Sequence, residues 1–270
     1  MEKLTRPNSL FLSAAAQNSH EVLVLIYNWF ADDLTVVAGD RPNNRGRLTR
    51  IAAEVCVDRD LDRSLILRLL SSAELGITDL ELECPDDQER EQSKRVLKAM
   101  MSALGREGQF QRTLDEPGPK VKLLHRTGDS VVRFELEDES SGTISYLALL
   151  GPIIKVLRAG GVLAVDELDS GLHSLLVARI VELFKKSSTN PRHAQLIFNS
   201  HDTSLLNRDV LRQDQVWLTE TDQRGESHLY PLSDFQRKSG GKISSGYLQG
   251  RFGAIPYLGM DLEMGELVHE

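Results

Sequence analysis

Four short stretches carry residue types that do chemistry. Gly161-Val-Leu-Ala-Val-Asp166-Glu167 is an apolar run ending in two adjacent carboxylates. A buried strand of this kind delivers both acids to its exposed end. In a phosphoryl-transfer site the first acid holds Mg²⁺, often through water, and the second orients or deprotonates the attacking water. Taken alone, the run reads equally well as a solvated strand end, because short motifs are not unique. Ser140-Ser141-Gly142-Thr143 opens a long helix. Small residues with free N–H groups at a helix start make an anion site, and the helix dipole adds to it; Ser141 or Thr143 also fits as a plain N-cap. Asp169-Ser170-Gly171-Leu172-His173 follows the acids as a tight turn, and Ser200-His201-Asp202 closes a second apolar run. A histidine there, next to a strand ending in two acids, suits a phosphate contact.

These residues need a scaffold, and the second half of the chain supplies one. Val162–Val165 and Leu196–Phe198 read as short buried strands, and Gly142–Leu157 and Leu175–Phe184 as helices, with Pro152 expected to kink the first. Apolar strands alternating with helices mean a sheet covered on both faces. Functional residues in such sheets gather at the carboxyl ends of the strands, so the two strands should be neighbours, with Asp166, Glu167 and His201 at one edge. Val216–Thr219 and Ser227–Tyr230 read as a hairpin around 222–225.

The first half is less regular. His20–Phe30 and Leu61–Glu74 are predicted helices, the second stopped by Gly76. Ile77–Cys84 alternates like a strand, and Lys120–His125 with Val131–Glu137 forms a hairpin about Thr127-Gly128-Asp129. Val96, Leu97, Met100, Met101 and Leu104 make one helical face suited to a core. Arg41–Arg50 holds four arginines with Pro42, Asn43, Asn44 and Gly46, and reads as a solvated loop. The charged stretch Pro85–Gln92 marks a boundary, and Gly105–Pro119 reads as a loop.

Composition narrows the class. The chain has 270 residues, 40% hydrophobic and 27% charged, which excludes collagen, general disorder and a membrane bundle. The net charge of −8 argues against unspecific coating of DNA, which needs clustered cations. Cys56 and Cys84 are the two cysteines, and neither has zinc spacing; the pair fits a reducing cytosol. The apolar run Leu10–Ala16 is seven residues, at the bottom of the range for a signal core, and no stretch approaches the roughly 18 apolar residues of a membrane span.

In order and content, Glu139-Ser-Ser-Gly-Thr143, the strand into Asp166-Glu167, Asp169–His173 and Asn199-Ser-His-Asp202 resemble the signature motif, Walker B, D-loop and switch histidine of ABC-type ATPases. The chain is similar to ATP-binding proteins of the abortive-infection, phage-resistance type, relatives of overcoming-lysogenisation-defect, RecF-like and structural-maintenance ATPases. Leu10–Gln17 and Gly246–Pro256 also look like this family, so the resemblance covers nearly the whole chain. It implies an α/β fold: a P-loop NTPase-like core, with a mostly parallel sheet flanked by helices and an inserted helical and hairpin region. It implies ATP and Mg²⁺ as cofactors. Asp166 is then the Mg²⁺ residue, Glu167 and His201 are catalytic, and Ser141, Gly142, Thr143 and Asp169 bind ATP in trans across a homodimer. A nuclease-type effector is an implied partner, nucleic acid is left open, and the expected location is cytoplasmic, with no membrane.

One departure matters. No GxxxxGK[ST] phosphate loop is present; Gly241-Lys242 is followed by Ile243 and lacks the first glycine. The chain looks like the C-terminal two-thirds of the family: a truncation, a lost 5′ end or half of a split protein. The expected division is 1–84 as part of the ATPase core, 85–119 as a charged insert and linker, 120–235 as the part bearing the motifs, and 236–270 as an extension. Two readings follow. One is an ATPase component, active when complete and inactive as this chain alone. The other is a non-catalytic dimerisation or regulatory subunit. A metal-dependent nuclease using Asp166, Glu167 and Asp169 ranks last, because such enzymes need a DxD pair at a strand end, and Asp58-Arg59-Asp60 opens a helix.

Overall fold

The computed structural model describes residues 10–38, 42–103, 119–222, 224–235 and 242–256. The chain divides into two compact units, Met1–His201 and Asp202–Glu270.

In the first unit, α1 (Phe11–Gln17) and α2 (Glu21–Asn28) lead through a π turn at Trp29–Asp33 into β1 (Leu34–Val37). Helices α3 (Pro42–Asp58) and α4 (Asp60–Ser72) precede β2 (Ile77–Glu83), and α5 spans Asp87–Ala103. The hairpin strands β3 (Lys120–Thr127) and β4 (Ser130–Glu135) follow. The last stretch is α6 (Ser141–Ala159), β5 (Val162–Val165), α7 (Ser174–Lys185) and β6 (Gln195–Phe198).

Helix α6 is the centre of this unit. Tyr146, Leu147, Leu150, Ile153 and Ile154 are fully buried along it, so it is apolar nearly all round, as a core helix must be. Its 19 residues are also long and apolar enough to cross a membrane, with mean hydropathy 1.3, but 67% of the window is buried within the fold. The expectation that no stretch approaches that length is corrected here: burial in a protein core selects the same composition as lipid does.

Strands β1, β5 and β6 form a parallel sheet in the order β1-β5-β6, which bears out the predicted adjacency of Val162–Val165 and Leu196–Phe198. Leu163 and the row Val37–Val165–Phe198 lie on one face, where Leu163, Val37 and Val165 are buried. On the other face, Val36, Ala164 and Ile197 are in register, with Val36 64% and Ile197 60% exposed. A second sheet, β2-β3-β4, is antiparallel and buries Leu80 against Leu123.

Two expectations need correction. Residues 42–50 are helical and open α3, whereas Arg41–Arg50 reads as a loop; Arg41 itself lies outside the described residues. Proline suits a first helical turn, and Thr49, Ala52, Ala53 and Cys56 recur at helical spacing as a buried stripe that outweighs the turn-forming residues before them. On α5, Val96 is 63% exposed, so the apolar stripe does not enter the core at that position. The helix also starts inside the charged stretch read as a boundary. The Gly105–Pro119 loop lies outside the described residues except at its last residue.

The second unit contains the expected hairpin, β7 (Trp217–Thr221) with β8 (Ser227–Pro231), and a short α8 (Ile243–Leu248). Leu218, Leu232 and Ile243 form its buried cluster.

Candidate active site

The parallel register sets the site. Val165 pairs with Phe198, so the next residues, Asp166 and Asn199, emerge side by side at the carboxyl edge. The Asn199 side-chain amide then works in both directions. Its Nδ2 donates to Asp166 Oδ1 at 2.6 Å, and its Oδ1 accepts the Glu167 N–H at 2.5 Å. Its carbonyl accepts the Leu168 N–H at 3.1 Å. Two residues on, the His201 N–H donates to Asp169 Oδ2 at 3.2 Å. Asp166, Glu167, Asp169 and His201 are thus laced into one edge through Asn199 and the main chain.

Glu167 has φ 53°, in the left-handed region. A non-glycine residue there costs about 1–3 kcal/mol and persists only where neighbours enforce it, most often at functional sites. Asp166, Glu167 and His201 are exposed, Leu168 between the acids is buried, and Asp169 Oδ1 is buried with no partner among the described residues.

The start of α6 meets the same edge. Ser140 is the cap: its Oγ accepts the Thr143 N–H at 3.1 Å and lies 2.9 Å from Thr143 Oγ1. The capping role read at Ser141 or Thr143 therefore belongs to Ser140. Ser141 is exposed, Gly142 is half-buried, and Thr143 is buried with its hydroxyl against the cap. A Cβ on Gly142 would stand 2.9 Å from the Gly171 carbonyl, so the helix start abuts the turn after the acids. His173 closes that turn by capping α7, its Nδ1 accepting the Leu175 N–H at 3.2 Å.

The edge offers carboxylate oxygens, but among the described residues Asp166, Glu167 and Asp169 do not converge as a three-ligand cluster. Three carboxylates lie within four residues, and hard oxygen ligands are what Mg²⁺ takes; Asn199 engages one oxygen of Asp166 and leaves the other. The phosphate cradle is a different matter, since no GxxxxGK[ST] occurs in the 270 residues. Asn199 is the residue to which sequence reading gave no role. The sequence carried part of the signal, a polar amide directly after an apolar strand, but not its register with the first acid.

A parallel sheet flanked by helices, with carboxylates and a histidine at one carboxyl edge, defines a P-loop NTPase-like domain of ATPase type. Residues 6–207, three-quarters of the chain and every residue of this edge, match the family described as "AAA domain, putative AbiEii toxin, Type IV TA system", and the chain belongs to that family. No curated protein matches it in sequence. A solved structure from work on the "ATP-driven dimerization and DNA stimulated activation of SMC ATPases" aligns with a TM-score of 0.30 and 21% identity, over 54% of this chain and 99% of that one.

Proposed function

We propose that the chain is a component of an ABC-type ATPase of bacterial anti-phage defence, acting by abortive infection in the cytoplasm. In this reading Asp166 holds Mg²⁺, Glu167 accepts the proton of the attacking water and His201 contacts the γ-phosphate. Ser141, Gly142 and Thr143, with Asp169, complete the ATP site of an opposing, two-fold related copy, and a nuclease-type effector reads the outcome. The ATPase core takes in 1–84 and 120–235, with 85–119 as an insert and 236–270 as an extension. The observation that carries the reading is the Asn199 fork between Asp166 and Glu167 at adjacent parallel strand ends, two residues before His201.

Backbone amides and a lysine of the phosphate loop supply most of the cradle in such sites. No such loop occurs in these residues, so the 270-residue chain alone binds ATP weakly or not at all. Calorimetry with ATP and Mg²⁺ tests this, and micromolar binding would refute it. In protein that carries the loop, Glu167→Gln keeps ATP binding and nearly abolishes turnover, because an amide cannot accept the water's proton. Hydrolysis at the parent rate would remove the base assignment. The second reading, a non-catalytic dimerisation subunit, is favoured by the missing loop alone; it requires a dimer that is indifferent to ATP.

A further inference from the structure

We propose that Asn199 is a positioning residue that holds Asp166 and Glu167 in working geometry; this rests on the roles proposed for those two acids. One residue at the end of β6 reaches four consecutive residues of the neighbouring strand end. The Asn199 N–H donates to the Val165 carbonyl at 3.3 Å, its side chain takes Asp166 Oδ1 and the Glu167 N–H, and its carbonyl takes the Leu168 N–H. The first and last of these any residue could make. The middle two require one donor and one acceptor on a single short planar fork, which is an asparagine amide. Aspartate would turn a carboxylate toward Asp166, and alanine would release both.

The fork meets the chain where the backbone most needs holding. Glu167 sits at φ 53°, a conformation that its own side chain disfavours. The N–H of that same residue is the one Asn199 captures. The proposed base is therefore held on both sides, its N–H by Asn199 from β6 and its carbonyl by the Ser170 N–H at 2.9 Å in its own turn. The same fork occupies Oδ1 of Asp166 and so directs metal ligation to the other oxygen.

The test is a double-mutant cycle on the 270-residue chain, read by thermal unfolding: Asn199→Ala, Glu167→Gly and both together. Glycine adopts positive φ without strain, so it should make the clamp dispensable. Asn199→Ala should lower Tm by about 2–4 °C in the parent chain, and by less than half of that in the Glu167→Gly background. Equal losses in the two backgrounds would overturn the proposal, since a residue that merely packs costs the same in either. Amide hydrogen exchange on the unmodified chain gives a readout that needs no variant to fold. The Glu167 amide should exchange at least about tenfold slower than an open amide, and exchange at the open rate would overturn the clamp. Mn²⁺ binding, compared with Asp166→Ala, reports separately on the metal role. Should that change leave Mn²⁺ binding untouched while the melting cycle stays coupled, the metal assignment fails and the clamp stands.

Discussion

His125 Nε2 and Glu139 Oε1 stand 2.6 Å apart, joining the middle strand of the antiparallel sheet to the residue two before α6. The Glu139 side chain is only 7% exposed, so its carboxylate depends on this partner. His125→Ala should cost about 1–3 kcal/mol by stranding a buried acceptor. Glu139→Gln, which can still bond to the imidazole, should cost less. Denaturant unfolding of the two variants checks the order; a costlier Glu139→Gln would show that the pair is not what holds this junction.

Gly142→Ala should destabilise, because the added methyl would stand 2.9 Å from the Gly171 carbonyl, a main-chain atom with little room to yield. Overpacking of this kind costs about 1–3 kcal/mol. Melting curves measure it. On the proposed trans site, ATP-dependent dimerisation of protein that carries the phosphate loop should weaken as well, by sedimentation. An alanine variant as stable as the parent would mean that the two segments part easily.

Gly151→Ala should be worse. Its Cβ would lie 2.5 Å from the Ala52 nitrogen and 2.7 Å from the Ala52 Cα, where α3 crosses α6. Both helices would have to separate, at a cost of about 3 kcal/mol. Soluble yield and Tm are the measurements, and a parental Tm would contradict the close crossing.

Burial pushes the Cys56 thiol up from 9.0 to about 11, against a smaller opposing pull from the Arg63 guanidinium. The folded state therefore keeps a proton that the unfolded state gives up. This contribution is fully present below pH 9 and is lost as pH rises toward about 11, by about 2 kcal/mol in all. Unfolding measured at intervals across that window should show the decline, and Cys56→Ala should flatten it. Alkylation in the folded state should label the exposed Cys84 and spare Cys56.

Much of the motif-bearing half was legible in the sequence because its strands are continuous apolar runs and its helices carry apolar faces. Val162–Val165 coincides with β5, and the hairpin about Gly128 is present as read. The start of α3 was not legible. Pro42, Asn43, Asn44 and Gly46 all favour turns locally, and the helix instead follows the buried stripe through Thr49 and Ala52, with Ala52 lying against Gly151 of α6. Asn199 was hidden for a related reason. Its role depends on the register that pairs Val165 with Phe198, and hydrophobic patterning, which placed the two strands side by side, does not fix that register.

The bare row Val36–Ala164–Ile197 ties the sheet to the chemistry at its edge. An all-parallel sheet is ordinarily covered on both faces, and β5 and β6 are each only four residues long. Any polypeptide that settles over that row adds its binding free energy to the folded state, and with it to the β5–β6 pairing that sets Asp166 beside Asn199. Covering the sheet and assembling the carboxylate edge are then two views of a single equilibrium. The pairing that sets Asp166 beside Asn199 would firm in proportion to how fully that row is shielded from water.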